Sequence, residues 1–137
     1  MRQQAWDEVK FVLADFPKYD LYINELRFSN LYPYKQTDTN IGGGKGSLRG
    51  DGLERTVVRI ADNIQLNRLV FQQEVTRGLL NESPEWVQEM IGFMHFDNTK
   101  RSLSEASELV GKSWKTAKKY YVEFMEELAD RLGIYKG

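Results

Sequence analysis

The run Gly42-Gly43-Gly44-Lys45-Gly46-Ser47 sets a lysine and a hydroxyl among glycines, the ingredients of a loop whose backbone amides cradle a phosphate. A P-loop also needs its lysine followed directly by serine or threonine, after a buried strand and at the mouth of a helix. Here Gly46 separates Lys45 from Ser47 and no apolar β-type run precedes Gly42, so nucleotide chemistry is not expected. Other catalytic parts are missing too. With no cysteine there is no thiol nucleophile, no disulfide framework and no cysteine-based zinc site. The single histidine, His95, lies in Gly92-Phe93-Met94-His95-Phe96, the apolar end of a helical pattern, where packing or capping is expected rather than acid–base work. No catalytic residue, metal or cofactor is expected, and the chain reads as non-enzymatic.

The lysines point elsewhere. Between Lys100 and Tyr121 six basic residues (Lys100, Arg101, Lys112, Lys115, Lys118, Lys119) stand against two acids (Glu105, Glu108), a local +4 in a chain of net charge −1. An excess of this kind, placed on one helix, is what a phosphate backbone attracts.

The elements that must position these lysines are legible around them. Ser102 with Glu105, or Ser104 just after, offers an N-cap for a short helix ending near Val110. Gly111 supplies the left-handed residue of a tight corner, and Ser113 caps a second, longer helix. Small Ser107 and Ala117 sit where the two helices must approach closely. This is helix–turn–helix grammar. At about 100° per residue, Ala117, Tyr120, Tyr121, Phe124 and Leu128 share one face, while Lys115, Lys118 and Lys119 point largely the other way. Phosphates would then be held by Lys100, Arg101, Lys112 and the Ser113 helix start, and bases read from Trp114, Lys115, Lys118 and Lys119. Trp114, at the edge of the apolar face, either shields the core or stacks on sugar and base. Lys112 stands where an aliphatic residue usually follows the turn glycine, so it either weakens the small core or is satisfied by snorkelling. Beyond Val122 the helix turns acidic at Glu123, Glu126, Glu127 and Asp130, which leaves only its first turns for a groove.

Upstream, Ala5, Trp6, Val9, Val12, Leu13 and Phe16 have helical spacing up to Pro17, and Tyr19, Tyr22, Ile23 and Leu26 mark a second helix ending near Ser29-Asn30. A long helical pattern covers Leu53 to Leu80, with Leu53, Val57, Ile60, Ile64, Phe71 and Val75 on one stripe and Leu66, Leu69 and Val70 opposite. Two apolar faces imply two partners, so a homodimer through this helix is one expectation, with Asn67 as a register-setting polar position. Ser83 as N-cap and Pro84 at the first helical position open another helix through Trp86, Val87, Met90, Ile91 and Met94, ended by a turn at Asp97-Asn98-Thr99.

The expected fold is therefore all-α. Residues 1–31 form an N-terminal helical segment, 32–52 a glycine-rich linker, 53–81 a long central helix and 82–137 the helix–turn–helix domain. Lys45 and Arg49 in the linker are candidates for an arm on the DNA backbone. The 137 residues are 41% apolar, which suits a globular protein, and no apolar run reaches the roughly 18 residues of a membrane span, so a soluble, cytoplasmic protein is expected.

The segment "LSEASELVGKSWKTAKKYYVEFMEELADRLG" resembles the C-terminal, promoter-reading helix–turn–helix of primary sigma factors. "LADFPKYDLYINELR" and "YPYKQTDTNIGGGKGS" are similar to phage late-transcription regulators of the RinA and ArpU type from Gram-positive hosts. There, an element like Asp15-Phe16-Pro17-Lys18-Tyr19 and one like Asp38-Thr39-Asn40-Ile41-Gly42-Gly43 precede a long helix and a sigma-like module. The resemblance implies a DNA-binding activator of phage late genes in a bacterial host cell, acting on double-stranded DNA, with host RNA polymerase as a further candidate partner. A small terminase-like packaging subunit, or a helical interaction module without a DNA role, are the alternatives.

Overall fold

The computed structural model describes the backbone of residues 1–31 and 45–137, and side chains of residues 1–28 and 63–137. The described residues are helical, with no strand among them, as the all-α expectation has it. Helix α1 spans Gln3–Asp15, α2 Tyr19–Leu31, α3 Lys45–Glu82, α4 Glu85–Ile91, α5 Leu103–Leu109 and α6 Trp114–Leu132. The Asp38–Gly43 element and the glycine-rich run as far as Gly44 lie outside the described residues. Helix α3 begins at Lys45, earlier than the Leu53 start that periodicity marks.

The helices fall into two compact units, Met1–Lys18 with Gln72–Gly137, and Tyr19–Phe71. In the first, α1 turns Ala5, Val9, Val12 and Leu13 inward and ends where Phe16-Pro17-Lys18 tightens into a single 3₁₀ turn. Pro17 has no amide hydrogen to continue the ladder. The core joins Val9 and Leu13 to Leu79 and Leu80 of α3, Val87, Met90 and Ile91 of α4, Ala106 of α5, and Ala117, Tyr121, Phe124, Met125, Leu128 and Ala129 of α6. The two ends of this unit are clasped. The Arg2 amide donates to the Lys136 carbonyl at 2.7 Å, its Nε donates to the Tyr135 carbonyl at 3.1 Å, and its guanidinium lies 4.8 Å from the Tyr135 ring centre.

Two local readings are corrected. Ser83 does not cap α4; its hydroxyl donates back to the Leu79 carbonyl at 2.7 Å and closes α3. Pro84 takes the cap position with extended backbone, and its carbonyl accepts from the Val87 amide at 2.9 Å. The proline's fixed φ suits either place, and the serine's hydroxyl found the nearer orphan carbonyl. Nor does α4's helix run on as α through Met94. Gly92–Phe96 widens into a π turn, in which the Asp97 amide donates to the Gly92 carbonyl at 3.0 Å. That turn spreads four bulky side chains around the axis. Phe96 meets Phe16 at 5.3 Å between ring centres, and His95 meets Tyr121.

In the second unit, Tyr19 and Ile23 of α2 are buried, and Tyr22 and Leu26 are partly so. On α3, Leu66, Leu69 and Val70 are half-buried, while Ile64 and Phe71, expected on an apolar stripe, are 64% and 48% exposed. In the first unit, the buried row of the same helix is Gln73, Thr76, Leu79 and Leu80. Two of its four members are polar, which hides it from a hydrophobicity pattern.

Candidate nucleic-acid interface

Helix α5 starts with a complete capping box. The Ser102 hydroxyl accepts from the Glu105 amide at 3.2 Å, and the Glu105 carboxylate accepts from the Ser102 amide at 3.1 Å. Ser102's hydrogen bonds hold the Glu105 carboxyl below its usual range. The helix ends in a Schellman motif, with the Gly111 amide donating to the Glu108 carbonyl at 3.1 Å and the Lys112 amide to the Ser107 carbonyl at 3.0 Å. Gly111 sits at φ +74°, where a side chain would strain the backbone. Ser107 and Ala117, the small residues expected where the two helices approach, are both buried.

The Ser113 hydroxyl then starts α6. It accepts from the Thr116 amide at 3.2 Å and donates to the Thr116 hydroxyl oxygen at 3.0 Å. Tyr121, Phe124, Met125, Leu128 and Ala129 join Ala117 on the buried side. Trp114, Lys115, Thr116, Lys118 and Lys119 are exposed. Lys118 Nζ lies 4.8 Å from the Trp114 ring centre, one helical turn away, and Trp114 itself is 49% exposed. On the other edge of α6, Tyr120 packs edge-on against Trp86 of α4, with ring centres 4.9 Å apart. Lys112 Nζ stands 5.2 Å from the centre of that Trp86 ring. Lys112 is thus accommodated outside the core, its ammonium over an aromatic face.

The structure brings Lys112, Ser113, Trp114, Lys115, Lys118 and Lys119 onto one corner and the first turns of one helix. Lys100 and Arg101 sit apart, on the turn before α5. Arg101 faces Asp97 at 3.8 Å and the Phe93 ring at 5.3 Å, and exposed Lys100 adopts φ 47°. The side chains of Lys45 and Arg49 lie outside those described. Trp86, Thr116 and Tyr120 belong to this surface yet were not among the sequence candidates. Thr116 was readable as a polar residue on the outward arc; Trp86 was not, because Tyr120 meets it from a distant part of the chain.

The acidic end of α6 is tied down by its own cations. Arg131 donates through both terminal nitrogens to Glu82, at 2.7 and 2.9 Å, and through Nε to Glu127 at 2.9 Å. The Arg131 guanidinium holds the Glu82 carboxyl below the usual range. Lys136 pairs with Asp130 at 2.8 Å. Among the described residues, no group of three or more His, Asp or Glu side chains is placed to hold a metal ion, and no helix is long and apolar enough to cross a membrane.

The chain is similar to a phage transcriptional activator. It is 26% identical over 121 residues to the transcriptional activator rinA of Staphylococcus phage phi11, an overlap of 88% of this chain and 85% of that protein. This distant similarity agrees with the RinA-type resemblance in the sequence. No family model and no solved structure matches the chain.

Proposed function

We propose that the chain is a sequence-specific, DNA-binding transcription regulator, an activator of phage late genes for packaging, morphogenesis and lysis, with α5 and α6 acting as a sigma-like helix–turn–helix. It is a regulator rather than an enzyme. The observation that carries the reading is the exposure of Lys115, Lys118 and Lys119 together on the first turns of a capped helix that buries Ala117, Tyr121, Phe124 and Leu128. The similarity to a transcriptional activator over most of both chains supports the regulatory half. The first turns of α6 enter the major groove, and the acidic turns beyond Val122 stay outside it. Lys100 and Arg101 touch the backbone from the turn before α5.

Titrating the purified chain against duplex from its phage's late-operon region, by fluorescence anisotropy at several salt concentrations, tests this. Neutralising about four to six phosphates gives a slope of log affinity on log salt of roughly −4 to −5. Lys115→Glu with Lys119→Glu abolishes binding. A slope near zero, or normal binding by that double variant, rules the assignment out. Footprinting upstream of packaging genes locates the target, and co-purification with host RNA polymerase tests direct contact.

The exposed Ile64 and Phe71 of α3, seven residues apart, support a homodimer through that helix. Light scattering should give a dimer mass, reduced to the monomer by Ile64→Lys with Phe71→Lys. A closed ring of many subunits would favour DNA packaging instead.

A further inference from the structure

The two edges of α6 are built alike. On one, Lys118 lies over Trp114; on the other, Lys112 lies over Trp86, which is braced edge-on by Tyr120. Between them, at about 100° per residue, Lys119 points most directly away from the buried side, with Lys115 and Thr116 close to either side of it. The edge residues Lys118 and Tyr120 stand roughly 100° from Lys119, one on each side.

These angles matter because a helix with its side chains is about 10–12 Å across and the major groove about 12 Å wide. A helix seated with Lys119 toward the groove floor turns its edges to the two sugar-phosphate walls. A lysine held over an indole loses rotamer freedom before binding and keeps its ammonium beside the helix rather than beyond it. It is thereby pre-placed for a wall and too far back for the floor. Thr116 complements this on the floor. Its hydroxyl oxygen already accepts from Ser113 at 3.0 Å, which leaves its own hydrogen to donate, and the exposed residue also carries a methyl. Those are the two contacts a threonine makes to base edges, a hydrogen bond and apolar contact with a thymine methyl.

We propose a division of labour on α6: Lys115, Thr116 and Lys119 read base edges, while Lys112 on Trp86 and Lys118 on Trp114 grip the two phosphate walls. This rests on the DNA-binding reading, moves Lys118 from base reading to phosphate, and adds Thr116 as a specificity-determining residue and Trp86 and Trp114 as positioning residues.

The test is selection of a preferred sequence from a random duplex pool by the full-length chain, followed by anisotropy on the selected duplex and a scrambled one. Lys112→Gln and Lys118→Gln should each weaken both duplexes by the same factor and make the salt slope shallower by about 0.9. Thr116→Ala should leave the salt slope alone and reduce discrimination at one base position roughly tenfold. Trp86→Leu, which changes no charge, should weaken both duplexes equally and leave the selected sequence unchanged. A changed base preference in Lys112→Gln or Lys118→Gln, an unchanged one in Thr116→Ala, or undiminished binding by Trp86→Leu overturns the division of labour. If the unaltered chain binds neither pool nor scrambled duplex at low salt, the DNA reading itself falls.

Discussion

Tyr121 Oη and His95 Nε2 are 2.9 Å apart, and their rings stack with centres 5.9 Å apart and planes 8° from parallel. Trp6 of α1 covers Tyr121 at 6.1 Å between ring centres. The middle of α6 is thereby bonded to the π turn and packed against α1, just beyond the lysines proposed to meet DNA. Burial pushes the Tyr121 phenol up to about 12. The sole histidine is thus packed against Tyr121.

Burial, and then the charges of Lys10 and Lys100, lower the His95 pKa from 6.5 to about 4. Between those values the unfolded chain binds the proton that the folded chain refuses. Stability is therefore full above about 6.5 and falls as pH drops toward 4, by up to about 1.4 kcal/mol per pH unit. Urea midpoints at pH 7.5 and 5 should differ in the unaltered chain and converge in His95→Gln. An equal loss in both would place the pH dependence elsewhere.

Gly111 at φ +74° has nothing within 4 Å of where a Cβ would stand, so a substitution there costs backbone strain and no clash. Gly111→Ala should lower stability by about 1 kcal/mol, and Gly111→Asn by less, because asparagine tolerates the left-handed region better. Thermal denaturation of the two variants checks the order.

Ala117, on the first turn of α6 after the Gly111 corner, is fully buried. Ala117→Leu should overpack this corner, cost roughly 1–3 kcal/mol and weaken DNA binding by tilting the lysine row. Ala117→Gly should also destabilise, by about 1 kcal/mol through helix propensity, yet keep the corner's spacing. Comparing affinities of the two at a temperature where both are folded separates tilt from stability.

Lys100 is the residue other than glycine, among those described, that adopts a positive φ, at 47°. Lys100→Gly should therefore raise the melting temperature, by relief of about 1 kcal/mol of strain, while making the salt slope shallower if the lysine meets a phosphate. A destabilised glycine variant would show that the side chain, rather than the turn, holds this backbone.

The sequence by itself determined the all-helical content, the break at Pro17, the Gly111 corner and the Ser113 start, and narrowed the α5 cap to Ser102 or Ser104. Each depends on partners within about four residues, where spacing and residue type settle the outcome. It also placed Lys115 and Lys119 away from the buried side of α6, with Lys118 toward its edge, because a helix has one period. The tertiary structure alone decided that α1 belongs to the same compact unit as α6, with Arg2 bound to Tyr135 and Lys136. It decided the widening at Gly92–Phe96, and that Gln73 and Thr76 lie buried while Ile64 and Phe71 face outward. It also set Trp86 beside Tyr120 and under Lys112. These contacts join residues far apart in the chain, and their geometry follows from how whole helices pack, which no local pattern carries.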